Sequence, residues 1–199
     1  MVSAGALPYL KKLLSHSKPN IVKEACWTIS NITAGTTEQV EKVINEGIYK
    51  DIASILAGMD HKSQKEAAWV VTNTATSGQP QQISKILSDN QILKPYCELL
   101  KVNDPRMLQV VLAGLTSFFQ LAEKLNSTES FCNLIEETGC LDALEDLQNH
   151  ENGDIYKLSF TIIDNYFSEN EKTELAPKKN GNTIEFNVER AQNVPKFNF

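Results

Sequence analysis

Two pairs of side chains in this sequence are suited to holding another molecule: Trp27 with Asn31, and Trp69 with Asn73, the second pair 42 positions after the first. On a helix, residues i and i+4 share a face, so each pair sets a flat aromatic ring beside a side-chain amide. The indole supplies a stacking wall whose face attracts cations, and the amide supplies donors and acceptors that suit any peptide backbone. Glu24 and Glu66, three residues before each Trp, lie on nearly the same face and can take a cationic head. This is the chemistry of binding. No Ser/His/Asp or Cys/His set, metal-ligand spacing or Gly-rich phosphate loop occurs, so the chain is expected to be no enzyme and to need no cofactor or metal.

A single Trp on a helix is more often core, and a mid-helix Asn often bonds only a neighbouring turn. Two copies in register favour a binding surface instead. The rest of the composition narrows the partner. At 199 residues and 41% hydrophobic the chain can fold, and no apolar run reaches the roughly 18 residues of a membrane span. The first residues have neither a basic nor a long apolar segment, so the expectation is a soluble, intracellular protein without membrane contact, in which the Asn31-Ile-Thr33 and Asn126-Ser-Thr128 sequons mean little. Cys26, Cys97, Cys132 and Cys140 show no C-x-x-C pairing and read as small core residues. A net charge of −6 argues against nucleic acid and for basic partners. Residues 172–199 hold five basic and three acidic groups, +2 net, so residues 1–171 carry −8.

What positions the two pairs is a repeat. With Gly5, Gly47, Gln91 and Gly139 in one column, Leu10, Ile52, Tyr96 and Leu144 share another, as do Leu13, Ile55, Leu99 and Leu147, and Ile29, Val71, Leu115 and Ile163. A period in the low forties with recurrent apolar columns predicts an all-α solenoid of four units, about 1–46, 47–90, 91–138 and 139–171. Leu13, Ile55, Leu99 and Leu147 are expected to be buried. Each unit reads as three helices: one of about three turns from Leu7, a long one from Pro19 to about Gly35 carrying the Trp and Asn, and a short one at Gln39–Ile44 or Gln82–Leu87. Pro105 starts the long helix of the third unit, and Gly35 and Gly78 stand where a left-handed helix ending is wanted. The order begins mid-unit, which reads as a fragment or a truncated paralogue. Beyond about Glu171 the periodicity stops, and 172–199 is expected to be a mostly disordered tail.

The aligned repeats resemble the importin-α (karyopherin-α) family of nuclear import adaptors, specifically its last four armadillo repeats. The resemblance rests on Lys23-Glu-Ala-Cys-Trp-Thr-Ile-Ser-Asn31, Lys65-Glu-Ala-Ala-Trp-Val-Val-Thr-Asn73, Phe118-Phe-Gln-Leu-Ala-Glu-Lys124, Tyr156-Lys-Leu-Ser-Phe160 and Phe197-Asn-Phe199. It implies a right-handed superhelix of three-helix armadillo units that shuttles between cytoplasm and nucleus. It also implies a groove for extended Lys/Arg-rich nuclear localisation signals, with Trp27, Asn31, Trp69, Asn73, Glu24 and Glu66 in its minor, C-terminal site. Ala113 and Ser117, then Thr161 and Asn165, replace the Trp and Asn in the later units, so the peptide ladder should end after the second. The family's basic importin-β-binding segment has no counterpart here, and importin-β is not expected to bind through this chain. In the family the last repeats also meet the export receptor that recycles the adaptor, and a nucleoporin is a further candidate partner of these repeats. Glu151, Asp154, Asp164, Glu169 and Glu171 supply acid for that, before Lys172 and Lys178-Lys179 reverse the charge. The alternative function is therefore a truncated, regulatory importin-α-like protein that binds the export receptor or a nucleoporin without carrying cargo.

Overall fold

A computed structural model describes residues 5–58, 60–88, 91–168, 178–180 and 183–185. Residues 5–168 hold eleven α-helices and, among the described residues, no strand. They are α1 (Leu7–Leu14), α2 (Pro19–Thr33), α3 (Thr37–Asn45), α4 (Ile48–Leu56), α5 (His61–Ser77), α6 (Pro80–Ser88), α7 (Leu93–Glu98), α8 (Pro105–Lys124), α9 (Thr128–Glu137), α10 (Cys140–Asp146) and α11 (Gly153–Tyr166). Short 3₁₀ turns, Leu99–Lys101 and Leu147–Asn149, extend α7 and α10. The helices repeat as first, second and third of a unit, and the fourth unit shows two of the three among the described residues. The long second helices α2, α5, α8 and α11 pack in series, each against the next, and form the spine of the solenoid.

Local chemistry sets the helix starts. Pro19 and Pro105 open α2 and α8, where a missing N–H costs nothing. Asp60 caps α5 through Ser63 N (2.9 Å), and Asp104 caps α8 through Arg106 N (2.9 Å) and Met107 N (3.2 Å). Thr36 and Gln39 form a reciprocal capping box at α3. Of the tail expected to lack structure, Lys178–Asn180 (β1) and Thr183–Glu185 (β2) pair as a short antiparallel hairpin. Its other residues, Phe197-Asn-Phe199 among them, lie outside the described residues, as do Glu169 and Glu171.

Three local expectations are corrected. The left-handed glycines are the unit starts, Gly5, Gly47 and Gly139 (φ 74°, 71° and 70°), where the chain reverses into a first helix, and Asn126 (φ 52°) is left-handed just past the end of α8. Gly78 is instead extended, and Gly35 follows an α-region residue; the turns there are set by the next helix, whose Gln39 and Gln82 side chains accept from Thr36 N and Gln79 N. Helix α1 has eight residues, about two turns rather than three. In the Leu13, Ile55, Leu99 and Leu147 column, Leu99 and Leu147 are buried, Ile55 is half-buried and Leu13 is 38% exposed. The reason is positional. Ile55 faces His16, Pro19 and Val22 of the preceding unit, and among the described residues no preceding unit covers Leu13.

The core otherwise follows the columns: Ile52, Tyr96 and Leu144 are fully buried, with Leu10 half-buried, and Ile29, Val71 and Leu115 are buried beneath the spine. Polar ties also run between units. Gln82 Nε2 donates to Thr37 O (2.9 Å) and Glu41 Oε2 (2.8 Å) of the preceding unit, while Lys11 Nζ donates to Glu46 O (2.6 Å) at the end of its own. Buried Tyr96 exchanges a hydrogen bond with Thr72 Oγ1 (2.7 Å) of the preceding unit. Gly114 makes room for it, since a Cβ there would overlap the phenol oxygen.

Candidate functional site

On α2, residues Asn20, Glu24, Trp27 and Asn31 are all exposed and follow i, i+4, i+7, i+11 spacing, one face of a helix. Ala25, Cys26 and Ile29 turn the other way and are buried, so burial of the opposite face fixes the direction of the stripe. Helix α5 repeats it with Lys62, Glu66, Trp69 and Asn73, and packs directly on α2. Trp27 is 53% exposed and Trp69 40%. Both indoles are therefore surface groups, and the reading of either as core is excluded. The six residues Trp27, Asn31, Trp69, Asn73, Glu24 and Glu66 come together on one face of two adjacent spine helices.

The two amides differ in what already holds them. Asn31 is exposed, and its Nδ2 donates to Trp27 O (2.8 Å) within its own helix. Asn73 is half-buried, and its Nδ2 donates to Ser30 O (2.9 Å) of α2. Each keeps its carbonyl oxygen for a ligand's N–H, but Asn73 also fastens the two spine helices together beside the Trp pair. Spacing along the sequence gives no sign of this link, because it depends on which way α5 leans against α2.

The carboxylates differ in the same manner. Glu24 pairs with Lys23 (2.8 Å) on the exposed surface, and that pair raises the Lys23 pKa. Glu66 is half-buried, and burial pushes its carboxyl above the ordinary Glu value while Lys23 and Lys65 pull it back. Lys65 meanwhile bonds Asp104 (3.2 Å) at the start of α8. Burial opposes ionisation of Asp104, but the Lys65 bond and the Met107 and Arg106 N–H groups together hold its carboxyl below the usual range. The lysines adjoining both Glu residues were the feature missed in the sequence, although the Lys-Glu dipeptides at 23–24 and 65–66 carry the signal.

Past α5 the face changes. Ala113 is exposed and small, Ser117 Oγ donates to Ala113 O (3.1 Å), and Thr161 Oγ1 donates to Lys157 O (2.7 Å). These hydroxyls are spent on their own helices, and neither α8 nor α11 puts an aromatic in the Trp column. A separate cleft of about 610 Å³ lies between α4 and α7, lined by Lys50, Ala53, Leu56, Lys94 and Leu99, and shares no residue with the Trp–Asn stripe. Among the described residues no group of three His, Cys, Asp or Glu side chains can hold a metal, and no helix is long and apolar enough to cross a membrane.

Comparison with known proteins places the chain in a lineage. Residues 1–34 match the armadillo/beta-catenin-like repeat family and residues 129–178 the atypical Arm repeat family. Importin subunit alpha-4 of Arabidopsis thaliana is 38% identical over 82% of this chain and 31% of its own length, and importin subunit alpha-1b of Oryza sativa subsp. japonica 36% over 98% and 38%. The chain thus spans about a third of the length of these relatives. Among solved structures, a designed armadillo repeat protein in complex with the peptide (KR)4 superimposes with a TM-score of 0.71 at 28% identity, over 83% of this chain and 66% of that one. Its relatives, its all-helical repeat units and its spine-helix motifs agree: the chain belongs to the importin-α family of armadillo-repeat proteins.

Proposed function

We propose that this chain is a nuclear import adaptor module that holds Lys/Arg-rich localisation-signal peptides, extended, across Trp27, Asn31, Trp69 and Asn73, and works in cytoplasm and nucleus. The observation that carries the reading is the pair of exposed Trp–Asn motifs in register on adjacent packed helices. A relative of the same fold, the designed armadillo protein, is seen with a peptide of alternating Lys and Arg.

The geometry gives each residue type a task. Packed helices lie roughly 8–10 Å apart and a strand rises about 3.3 Å per residue, so successive amides meet the peptide every two to three residues. Asn31 and Asn73 accept from, or donate to, main-chain groups that every peptide has. The slot between the indoles takes the aliphatic stem of a Lys or Arg, with the charge over a ring face, at about 0.5–2 kcal/mol per contact. Glu66, whose carboxyl is half-buried, is the acid that gains most from an arriving cation, because that cation restores the charge that burial disfavours. Glu24 must first share or release Lys23.

Intrinsic Trp fluorescence tests the proposal directly. A Lys/Arg-rich peptide added at low salt should change the emission, with a Kd on the order of tens of micromolar or weaker for two pockets, and added salt should weaken it. An unchanged spectrum from folded protein defeats the reading.

A further inference from the structure

The cleft between α4 and α7 exists because one seam of the array is left unfilled. Lys11, Ala53 and Cys97 are equivalent residues on successive first helices. Lys11 spans its seam, with Nζ bonded to Glu46 O (2.6 Å) and lying over Gly47, the first residue of the next unit. Cys97 meets the thiol of Cys140 across its own seam. Ala53 ends at a methyl group, and Ser54 and Ala57 beside it are also small. The space left, about 610 Å³, falls within the roughly 300–1,000 Å³ of ligand clefts.

The lining is sorted along its length. Lys50 and Lys94, again equivalent residues, stand exposed in the first turns of α4 and α7, and among the described residues neither ammonium has a hydrogen bond or an ion pair. A smaller hollow of about 260 Å³ shares Lys50 and Gln91 with the cleft and adds Lys85. At the other end Leu56, Leu99 and Val102 make an apolar floor. Glu98, the acid of this lining, is paired with Lys101 (3.4 Å), and the Gln64 amide nitrogen is taken by Leu56 O and Gly58 O (2.9 Å each). On a body of net −8, this cleft is cationic at one end and apolar at the other.

We infer that the cleft is a second docking site, for an acidic–apolar peptide segment of a partner protein. Its carboxylates lie over Lys50 and Lys94, and its bulky aliphatic or aromatic side chains rest on Leu56, Leu99 and Val102. A carboxylate supplies the counter-charge these lysines lack, on a surface whose net charge repels acid elsewhere. From Lys50 to Ala57 the lining runs seven residues, about 10 Å along α4. That holds the side chains of two helical turns, but is shorter than the roughly 15 Å that half a bilayer core implies for an acyl chain, so the fit is to a peptide rather than a lipid. The site is independent of the Trp–Asn face: Gln64 lies five residues, about 140° round α5, from Trp69, so both can be occupied at once.

The test pans a phage library of short random peptides against the full chain. One class of selected peptides should carry Asp or Glu beside Leu, Ile or Phe. Synthetic copies of that class should lose about tenfold in affinity with Lys50→Glu and Lys94→Glu combined, and should bind more weakly in salt. Ser54→Trp, at an exposed position that leaves folding intact, should fill the cleft and abolish binding, while Trp27→Ala with Trp69→Ala should leave it unchanged. The inference is overturned if no selected peptide is lost in both cleft variants, or if those that are lost lack carboxylates. Oleate binding in the cleft where no peptide does assigns it to a lipid and overturns the inference equally.

Discussion

Helices α5 and α8 are neighbours in one spine and both begin with Asp caps, yet carry different side chains on the equivalent stripe. Helix α5 shows Glu66, Trp69 and Asn73, whereas α8 has buried Val110, exposed Ala113 and half-buried Ser117 in the corresponding columns. The backbone that could carry a third binding pair is present and well packed, with Phe118 and Phe119 buried beneath it. The two units differ at three columns on a common frame, as expected when burial specifies the frame and leaves the rest of the helix surface free to vary.

The largest break in this contrast is to silence the reading units. Trp27→Ala with Trp69→Ala should weaken binding of a basic peptide by about fivefold to several hundredfold, from two contacts of about 0.5–2 kcal/mol each, with helicity by circular dichroism unchanged. Retained affinity by isothermal titration shows that the indoles do not hold the peptide. The converse gives α8 a voice: Ala113→Trp with Ser117→Asn should tighten binding of a peptide long enough to reach it by about 0.5–2 kcal/mol and leave a short peptide unaffected. Equal changes for both lengths put the peptide elsewhere.

The two reading units can then be separated from each other. Asn73→Ala removes a bond between helices and should lower stability in urea by about 0.5–1.5 kcal/mol, besides weakening every groove peptide alike. Asn31→Ala, whose bond lies on an exposed turn of its own helix, should leave stability nearly unchanged and affect only binding. Identical stability for the two variants removes the structural role given to Asn73. The smallest effect is on pH. Because burial raises the Glu66 pKa, protons compete with the peptide's cation, so affinity should fall as pH drops through that raised value, and binding should release a proton. Glu66→Gln should flatten the profile; a profile that survives it assigns the proton to another group.

Much of this was legible before any coordinates, and the boundary has a physical cause. The unit period, the helix starts at Pro19 and Pro105 and the exposed Trp–Asn face all follow from spacing, because burial acts on columns of side chains. What escaped depends on direction across units. Nothing in the order of residues tells that Asn73 turns to Ser30 O, that Lys65 crosses to Asp104, or that the column of Leu13 is covered from the preceding side. The glycine reversals were misplaced for a related reason, since the capping side chains of Gln39 and Gln82 do locally what a left-handed residue would have done.

The buried hydroxyl of Tyr96 bears on how such an array can be rearranged in evolution or by design. Its counterparts Leu10, Ile52 and Leu144 are apolar and ask nothing polar of the unit in front, but Tyr96 shares a hydrogen bond with Thr72 across the seam. A unit transplanted ahead of the third one keeps this bond only if it brings a hydroxyl at that place, as the first does with Ser30 and the fourth, with Asp164, does not, and otherwise leaves the phenol to the longer contacts with Val110 O and Val111 O (3.4 and 3.3 Å). The phenol then loses its closest polar partner inside the core, at a cost of about 1–3 kcal/mol if nothing replaces it. Exchange of modules is thus free at some joints and conditional at this one, and the order of units is partly written inside the protein.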